Sequence, residues 1–188
     1  LVQNAGNLYV ATGGASRDIW EGDNTNSTWD PTTAGLTTDP TDMVEFLGYC
    51  WVAQGEVNVM RRRLLSTGTW STGTVPAVFL ASGAVGTANG NTLWRSDNIN
   101  ELYWTVDGTT WSGPLYAGDT NTLIRSLLIW DNRLYIGKDD GLYVAQDGRV
   151  NQLFDFSFAR DPNNFKWMRV WQGAIYFPIG SGLYRLIG

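Results

Sequence analysis

The sequence predicts an all-β chain built from a unit of about 41 residues that recurs five times, the last time incompletely. Three observations carry this reading. Short apolar segments return at a nearly fixed spacing. Each is bounded by Gly, Asn or Asp, as strands joined by tight turns are. No stretch shows the 3.6-residue periodicity of a helix.

The clearest phase of the repeat is Leu8-Tyr9-Val10, Cys50-Trp51-Val52, Leu93-Trp94-Arg95, Leu134-Tyr135-Ile136 and Ile175-Tyr176-Phe177. Its central aromatics lie 42, 43, 41 and 41 residues apart. A second phase follows in Ile19-Trp20, Val59-Met60, Leu102-Tyr103, Leu142-Tyr143 and Leu183-Tyr184. Thr28-Trp29, Thr69-Trp70, Thr110-Trp111 and Gln152-Leu153 form a third. The fourth lies just ahead of the first and is clearest late in the chain, as Leu128-Ile129-Trp130 and Arg169-Val170-Trp171. Four short strands per period of this length are the pattern of a β-propeller blade. Burial is the physical reason: a blade packs both faces against neighbours, so its central strands are apolar on both sides.

Each unit then finds its boundaries. A single propeller domain over 1–188 divides into blades at about 1–34, 35–76, 77–118, 119–159 and 160–188. The first holds Leu8-Tyr9-Val10 and turns at Gly13-Gly14; the polar stretch 30–40 leads into the second. The second holds Cys50-Trp51-Val52 and a third strand through Arg61-Arg62-Arg63. Asp107-Gly108 turns the third blade, and Asp139-Asp140-Gly141 with Asp147-Gly148 the fourth, all typical hairpin punctuation. The last turns at Gly180-Ser181-Gly182 and holds only three strands. Five full periods would need about 205 residues, against 188 present. The chain is therefore expected to be a piece of a longer protein, or to be completed by neighbouring subunits. The alternative is a five-bladed ring with one three-stranded blade.

Composition narrows the chemistry. Apolar residues make up 43% and charged residues 16%, as in a globular chain. The net charge of −5 argues against nucleic acid or an anionic membrane surface as main partner. No apolar run approaches the ~18 residues of a membrane span. There is no His, which removes imidazole triads and His-based metal sites. The lone Cys50 excludes an internal disulfide and a thiolate zinc site, and its apolar strand marks it as a core residue. Leu1 to Gly6 has neither the basic nor the apolar region of a secretory leader. Asn26-Ser27-Thr28 is a glycosylation triplet that matters only in a secreted eukaryotic protein.

The segment Tyr103-Trp104-Thr105-Val106-Asp107-Gly108-Thr109-Thr110-Trp111 resembles the Asp-box hairpin of sialidase-type propellers. Thr105, Asp107, Gly108 and Trp111 match, in a turn one residue shorter. The resemblance implies that Asp107 caps the turn and Trp111 packs between strands; it implies no catalysis. The aromatic-rich, Lys-poor composition and the strand Trp171-Gln172-Gly173-Ala174-Ile175-Tyr176-Phe177-Pro178 resemble extracellular or virion-borne adhesin propellers, including tail-associated proteins of bacteriophages.

Catalysis and metal binding are the bolder readings. The arginines do not recur at one strand phase, as a sialidase triad would require. Among inner-strand carboxylates Glu45 is the best glycosidase candidate, and most other acids fall in turns. No catalytic residue is assigned. Asp23-Asn24-Thr25-Asn26-Ser27 spaces oxygens as a calcium loop does but lacks the following Gly and the distal Glu, so it reads as a solvated turn. No metal and no cofactor are expected. Alternation sends Arg61, Arg62 and Arg63 to different faces, not to one nucleic-acid patch.

Trp104 and Trp167 fall outside the main phases and are the candidate ligand-binding residues. Aromatics flanked by Asn, Asp and Thr suit sugar stacking with hydrogen-bonded hydroxyls. The expectation is a non-catalytic binding or scaffold module that recognises a glycan or a protein surface, extracellular or on a virion. The alternative is a structural virion or tail protein without a small ligand. A glycoside hydrolase stands third.

Overall fold

The computed structural model describes residues 1–4, 6–23, 28–86, 89–155 and 160–187. Among them, the strands group into five antiparallel sheets. The first contains β1 (Val2–Asn4), β2 (Asn7–Thr12), β3 (Asp18–Asp23) and β4 (Trp29–Pro31). The second contains β5 (Asp42–Phe46), β6 (Tyr49–Leu64) and β7 (Trp70–Ala77). The third is β8 (Phe79–Val85), β9 (Asn89–Ser96), β10 (Glu101–Thr105) and β11 (Ser112–Tyr116). The fourth is β12 (Ile124–Trp130), β13 (Arg133–Lys138), β14 (Gly141–Gln146) and β15 (Arg149–Asp155). The fifth is β16 (Arg169–Trp171), β17 (Ala174–Ile179) and β18 (Gly182–Ile187). In every sheet each strand pairs with the next along the chain. The helical content among the described residues is one 3-10 turn, Gly14–Ser16. The fold is an all-β, five-bladed β-propeller, as the repeat predicts. No helix of the described residues is long and apolar enough to cross a membrane.

The long strand of the second blade is two strands in one. Sixteen residues fully extended would span about 53 Å. Yet the Leu65 N–H donates to the Gly48 carbonyl at 2.9 Å, and Gln54 Nε2 donates to the Val59 carbonyl at 2.9 Å. β6 therefore doubles back near Gly55, whose φ of +85° a glycine adopts without strain. The arm around Trp51 pairs with β5 and the arm around Arg62 pairs with β7. The second blade thus has four arms, matching the four apolar phases.

The chain divides into two compact units, Leu1–Leu80 with Asp107–Thr109, and Ala81–Val106 with Thr110–Gly188. In the first, Val2, Tyr9 and Ile19 of the first blade pack with Met43, Cys50 and Val52 of the second. In the second, Tyr135 and Leu142 of the fourth blade pack with Ile175, Phe177 and Ile179 of the fifth. Both joints follow one rule. The aromatic at the centre of a blade's second strand faces the following blade, which covers it with the residues on either side of its own central aromatic. This is why those strands are apolar on both faces.

Polar groups inside the units are matched to partners. Lys138, at the end of β13, is fully buried, and its Nζ donates to the carbonyls of Ile99, Ala117 and Asp119 at 3.0, 2.7 and 2.8 Å. Burial pushes the Cys50 thiol up to about 12, which leaves it protonated and unreactive at neutral pH. The three consecutive arginines go to three places. Arg61 Nε donates to the Ala34 carbonyl at 3.0 Å, Arg62 lies over the Tyr49 and Trp51 rings, and Arg63 pairs with Glu21 at 2.7 Å.

The Glu21 carboxylate joins the first two blades. It accepts from Asn7 Nδ2 at 2.7 Å, from Tyr9 Oη at 2.8 Å and from Arg63. Burial alone would raise its pKa, but the hydrogen bonds from Tyr9 and Arg63 outweigh burial and hold it below the ordinary 4.5. A lowered carboxyl pKa contributes stability that is present above the unfolded value and lost as pH falls through the folded one. Acid titration of the unfolding midpoint is therefore expected to show a loss beginning near pH 4.5, and Glu21→Gln to flatten that part of the curve. Identical acid profiles for the two proteins would contradict this.

Asp107 turns the chain after β10. Its Oδ1 accepts from the Thr109 N–H at 2.7 Å, an Asx turn. Asp107→Ala is expected to cost about 1 kcal/mol, read from chemical denaturation; an unchanged midpoint would show that water replaces the carboxylate. All of the calcium-loop candidate after Asp23 and most of the glycosylation triplet lie outside the described residues.

Candidate functional site

Trp104 sits near the end of β10, directly opposite Trp94 of β9. The two indoles stack with centroids 5.2 Å apart and planes 27° from parallel. Trp94 is buried and fixed. Its Nε1 donates to Thr92 Oγ1 at 2.9 Å, and that hydroxyl donates to the Gly83 carbonyl at 2.8 Å. Trp104 is half-buried, so the pair is a rigid inner ring that backs a more accessible outer one.

A pocket of about 310 Å³ opens against this pair. Val85, Trp94, Trp104 and Leu115 make its apolar wall. Gln146, Asp147 and Gly148, from the hairpin between β14 and β15, make the polar one. That hairpin is the Asp-Gly turn expected from sequence. Asp147 and Gly148 have φ of +50° and +75°, the two left-handed positions of a type I′ turn. Gln146 is anchored from behind, accepting from Arg133 Nε at 3.2 Å. On the apolar side, the ladder between β10 and β11 shifts register between Leu102 and Trp104. At this shift the ladder is locally disrupted beside Trp104.

Chemically, the site offers an aromatic surface, a carboxylate that only accepts, and an amide that both donates and accepts. Its volume is at the small end of ligand pockets, about 300–1,000 Å³, which suits one ring-sized group. Among the described residues, no group of three or more His, Cys, Asp or Glu side chains could hold a metal ion. Glu45, the carboxylate singled out from sequence, is half-buried on β5, opposite Cys50 in the ladder with β6, and does not line this pocket.

The two tryptophans singled out from sequence part company. Trp104 lines the pocket; Trp167 does not. Trp167 ends the turn before β16, 69% exposed, with Lys166 Nζ 4.7 Å from its ring centroid. Two residues earlier, Phe165 is buried and its N–H donates to the Pro178 carbonyl at 2.8 Å. The sequence reading did not select Trp94, Gln146 or Asp147 as site residues. Trp94 is one of the repeating core aromatics, and Asp147 belongs to a turn signal. Neither signal shows that the two meet.

No protein-family model and no curated protein matches the sequence. Solved structures do match it. One is the extracellular domain of a proposed hybrid two-component system from B. thetaiotaomicron, with TM-score 0.72 and 14% identity over 98% of this chain and 26% of that one. A nidogen/laminin complex contains a chain with TM-score 0.64 and 11% identity, over 92% of this chain and 67% of that one. YCF48 from Cyanidioschyzon merolae has TM-score 0.54 and 13% identity, over 98% of this chain and 64% of that one. Likenesses at such identities establish the propeller fold. The chain spans about a quarter of the length of the first of these structures.

Proposed function

We propose that the chain is a non-catalytic recognition module that acts outside the cell or on a virion surface and takes a glycan at the Trp104 pocket. One observation carries the reading: a half-buried Trp104, stacked on the fixed Trp94, faces Gln146 and Asp147 across about 310 Å³. A sugar ring needs this combination, an apolar face for its C–H groups and acceptors and donors for its hydroxyls. The extracellular setting is supported by the B. thetaiotaomicron neighbours, which are extracellular domains. Trp167 is a separate exposed aromatic within reach of a larger partner.

A glycan array followed by calorimetric titration of the best hits tests this. Trp104→Ala is expected to weaken binding about tenfold or more, the loss of roughly 1.4 kcal/mol, while Trp167→Ala leaves the array pattern in place. Absence of any glycan hit, or binding indifferent to Trp104→Ala, would overturn it. Turnover of an aryl glycoside would instead revive the hydrolase reading. A structural role without a small ligand is the second reading, favoured by the exposed apolar side chains of the fifth blade.

A further inference from the structure

The Trp104 pocket sorts sugars by charge. Among the described residues that line it, Asp147 is the charged one, Gln146 supplies a neutral amide, and the rest are apolar. Asp147 is held in place. It sits at φ +50° in the type I′ turn, and its carboxylate lies against Gly86, which directly follows Val85 of the apolar wall. A Cβ on Gly86 would collide with Asp147 Oδ1. Gly86 is fixed in turn, since its N–H donates to the Asn132 carbonyl at 2.8 Å.

The neighbouring Gln146 is oriented by Arg133, whose Nε donates to Gln146 Oε1 at 3.2 Å. Arg133 itself does not line the pocket. With its oxygen engaged, the Gln146 amide has its Nε2 N–H groups to offer. The turn thus sets a donor beside a carboxylate that only accepts. The apolar wall adds indole, the aromatic side chain whose face attracts a cation best, on Trp104 with Trp94 stacked 5.2 Å from it.

A neutral hydroxyl can donate to a carboxylate, but an ammonium does so with charge assistance, in a bond about twice as strong. The same cation is drawn to the indole face. N-acetylation removes the charge from the nitrogen, and an acidic sugar would meet Asp147 as a like charge. Resting on the glycan reading above, we propose that the ligand is an amino sugar with a free ammonium group. The ammonium lies between Asp147 and Trp104, and a neighbouring hydroxyl oxygen accepts from Gln146.

Calorimetric titration with matched tetramers of glucosamine, N-acetylglucosamine, glucose and a uronic acid tests this, with a lysine-containing peptide as a second source of ammonium. At about pH 6 the amine is protonated. The glucosamine tetramer is expected to bind about tenfold more tightly than the two neutral ones, from one exposed ion pair and one cation–indole contact, and the uronic acid tetramer most weakly. Asp147→Asn is the discriminating variant, because Asn-Gly suits a type I′ turn as well as Asp-Gly does. It should erase the preference and leave the glucose tetramer's affinity unchanged, whereas Trp104→Ala should weaken every tetramer. Tetramers that bind through Trp104 with no preference for the amine overturn this inference and leave the glycan reading standing. A preference that survives Asp147→Asn is attraction to the acidic chain at large and overturns it equally. Binding of the peptide alone, or of no probe, overturns both.

Discussion

Lys138→Met is expected to cost about 3 kcal/mol or more, lowering the unfolding midpoint by roughly 6–12 °C in scanning calorimetry. The ammonium has three N–H groups, and each has its own backbone acceptor: Ile99 O, Ala117 O and Asp119 O. Burial pushes the Lys138 pKa down, while Asp140, Asp119, Asp97 and Asp139 oppose that by favouring the charged form. A buried charge is tolerable only when it is compensated this fully. Methionine fills much of the volume and supplies no donor, so three carbonyls lose their partner at once. Lys138→Arg keeps the charge but brings a planar fork to a site built for a compact three-donor head, and should recover only part of the loss. A cost under 1 kcal/mol for Lys138→Met would mean that water takes over the three carbonyls.

Gly137→Ala is expected to be the next most damaging change, at roughly 1–3 kcal/mol, although it adds a single methyl group. A Cβ there would collide with Phe165 Cβ and would lie 3.1 Å from both the Phe165 carbonyl oxygen and Ser126 Oγ. Phe165 cannot retreat. Its backbone is already in the left-handed region at φ +56°, its N–H is bound to the Pro178 carbonyl, and its ring stacks 5.1 Å from Phe177. Its carbonyl also accepts from Ser126 Oγ. Gly90→Ala is the matched control. It lies in β9 with nothing within 4 Å of where the added methyl would sit, and should shift stability by less than about 0.5 kcal/mol. Equal denaturation midpoints for the two variants would contradict the packing account.

The blades were legible in the sequence because the joints described within each unit make the same demand. Tyr9, Trp51, Trp94, Tyr135 and Tyr176 all lie on second strands, and the residues beside them, Arg95 excepted, are apolar, as a side covered by a neighbouring blade requires. The Asp147-Gly148 turn was legible because its two positive φ angles suit few residues. Lys138 was not. Its counterparts are Thr12, Gln54, Asp97 and Ile179, so nothing periodic marks the position, and its acceptors are loop carbonyls whose meeting point depends on how two blades pack. Phe165 stands in a segment between blades that the repeat does not cover. Of the residues lining the pocket, Trp104 alone stood out in the sequence, by falling outside the main phases. The polar wall did not, because it comes from the neighbouring blade and is brought there by non-local packing.

Strand order along the chain has a kinetic consequence. In each sheet a strand pairs with the one that precedes it and the one that follows it, so forming a blade closes only short loops. Secondary structure can then nucleate in any blade, while lasting protection waits for a neighbour to cover its aromatic face. Amide hydrogen exchange should reveal the difference. In the second unit the β13 amides, between two covered faces, should exchange slowest, and those of β18, which borders the open side of its sheet, fastest. Within the second unit, opening would begin at β18 and travel toward β13.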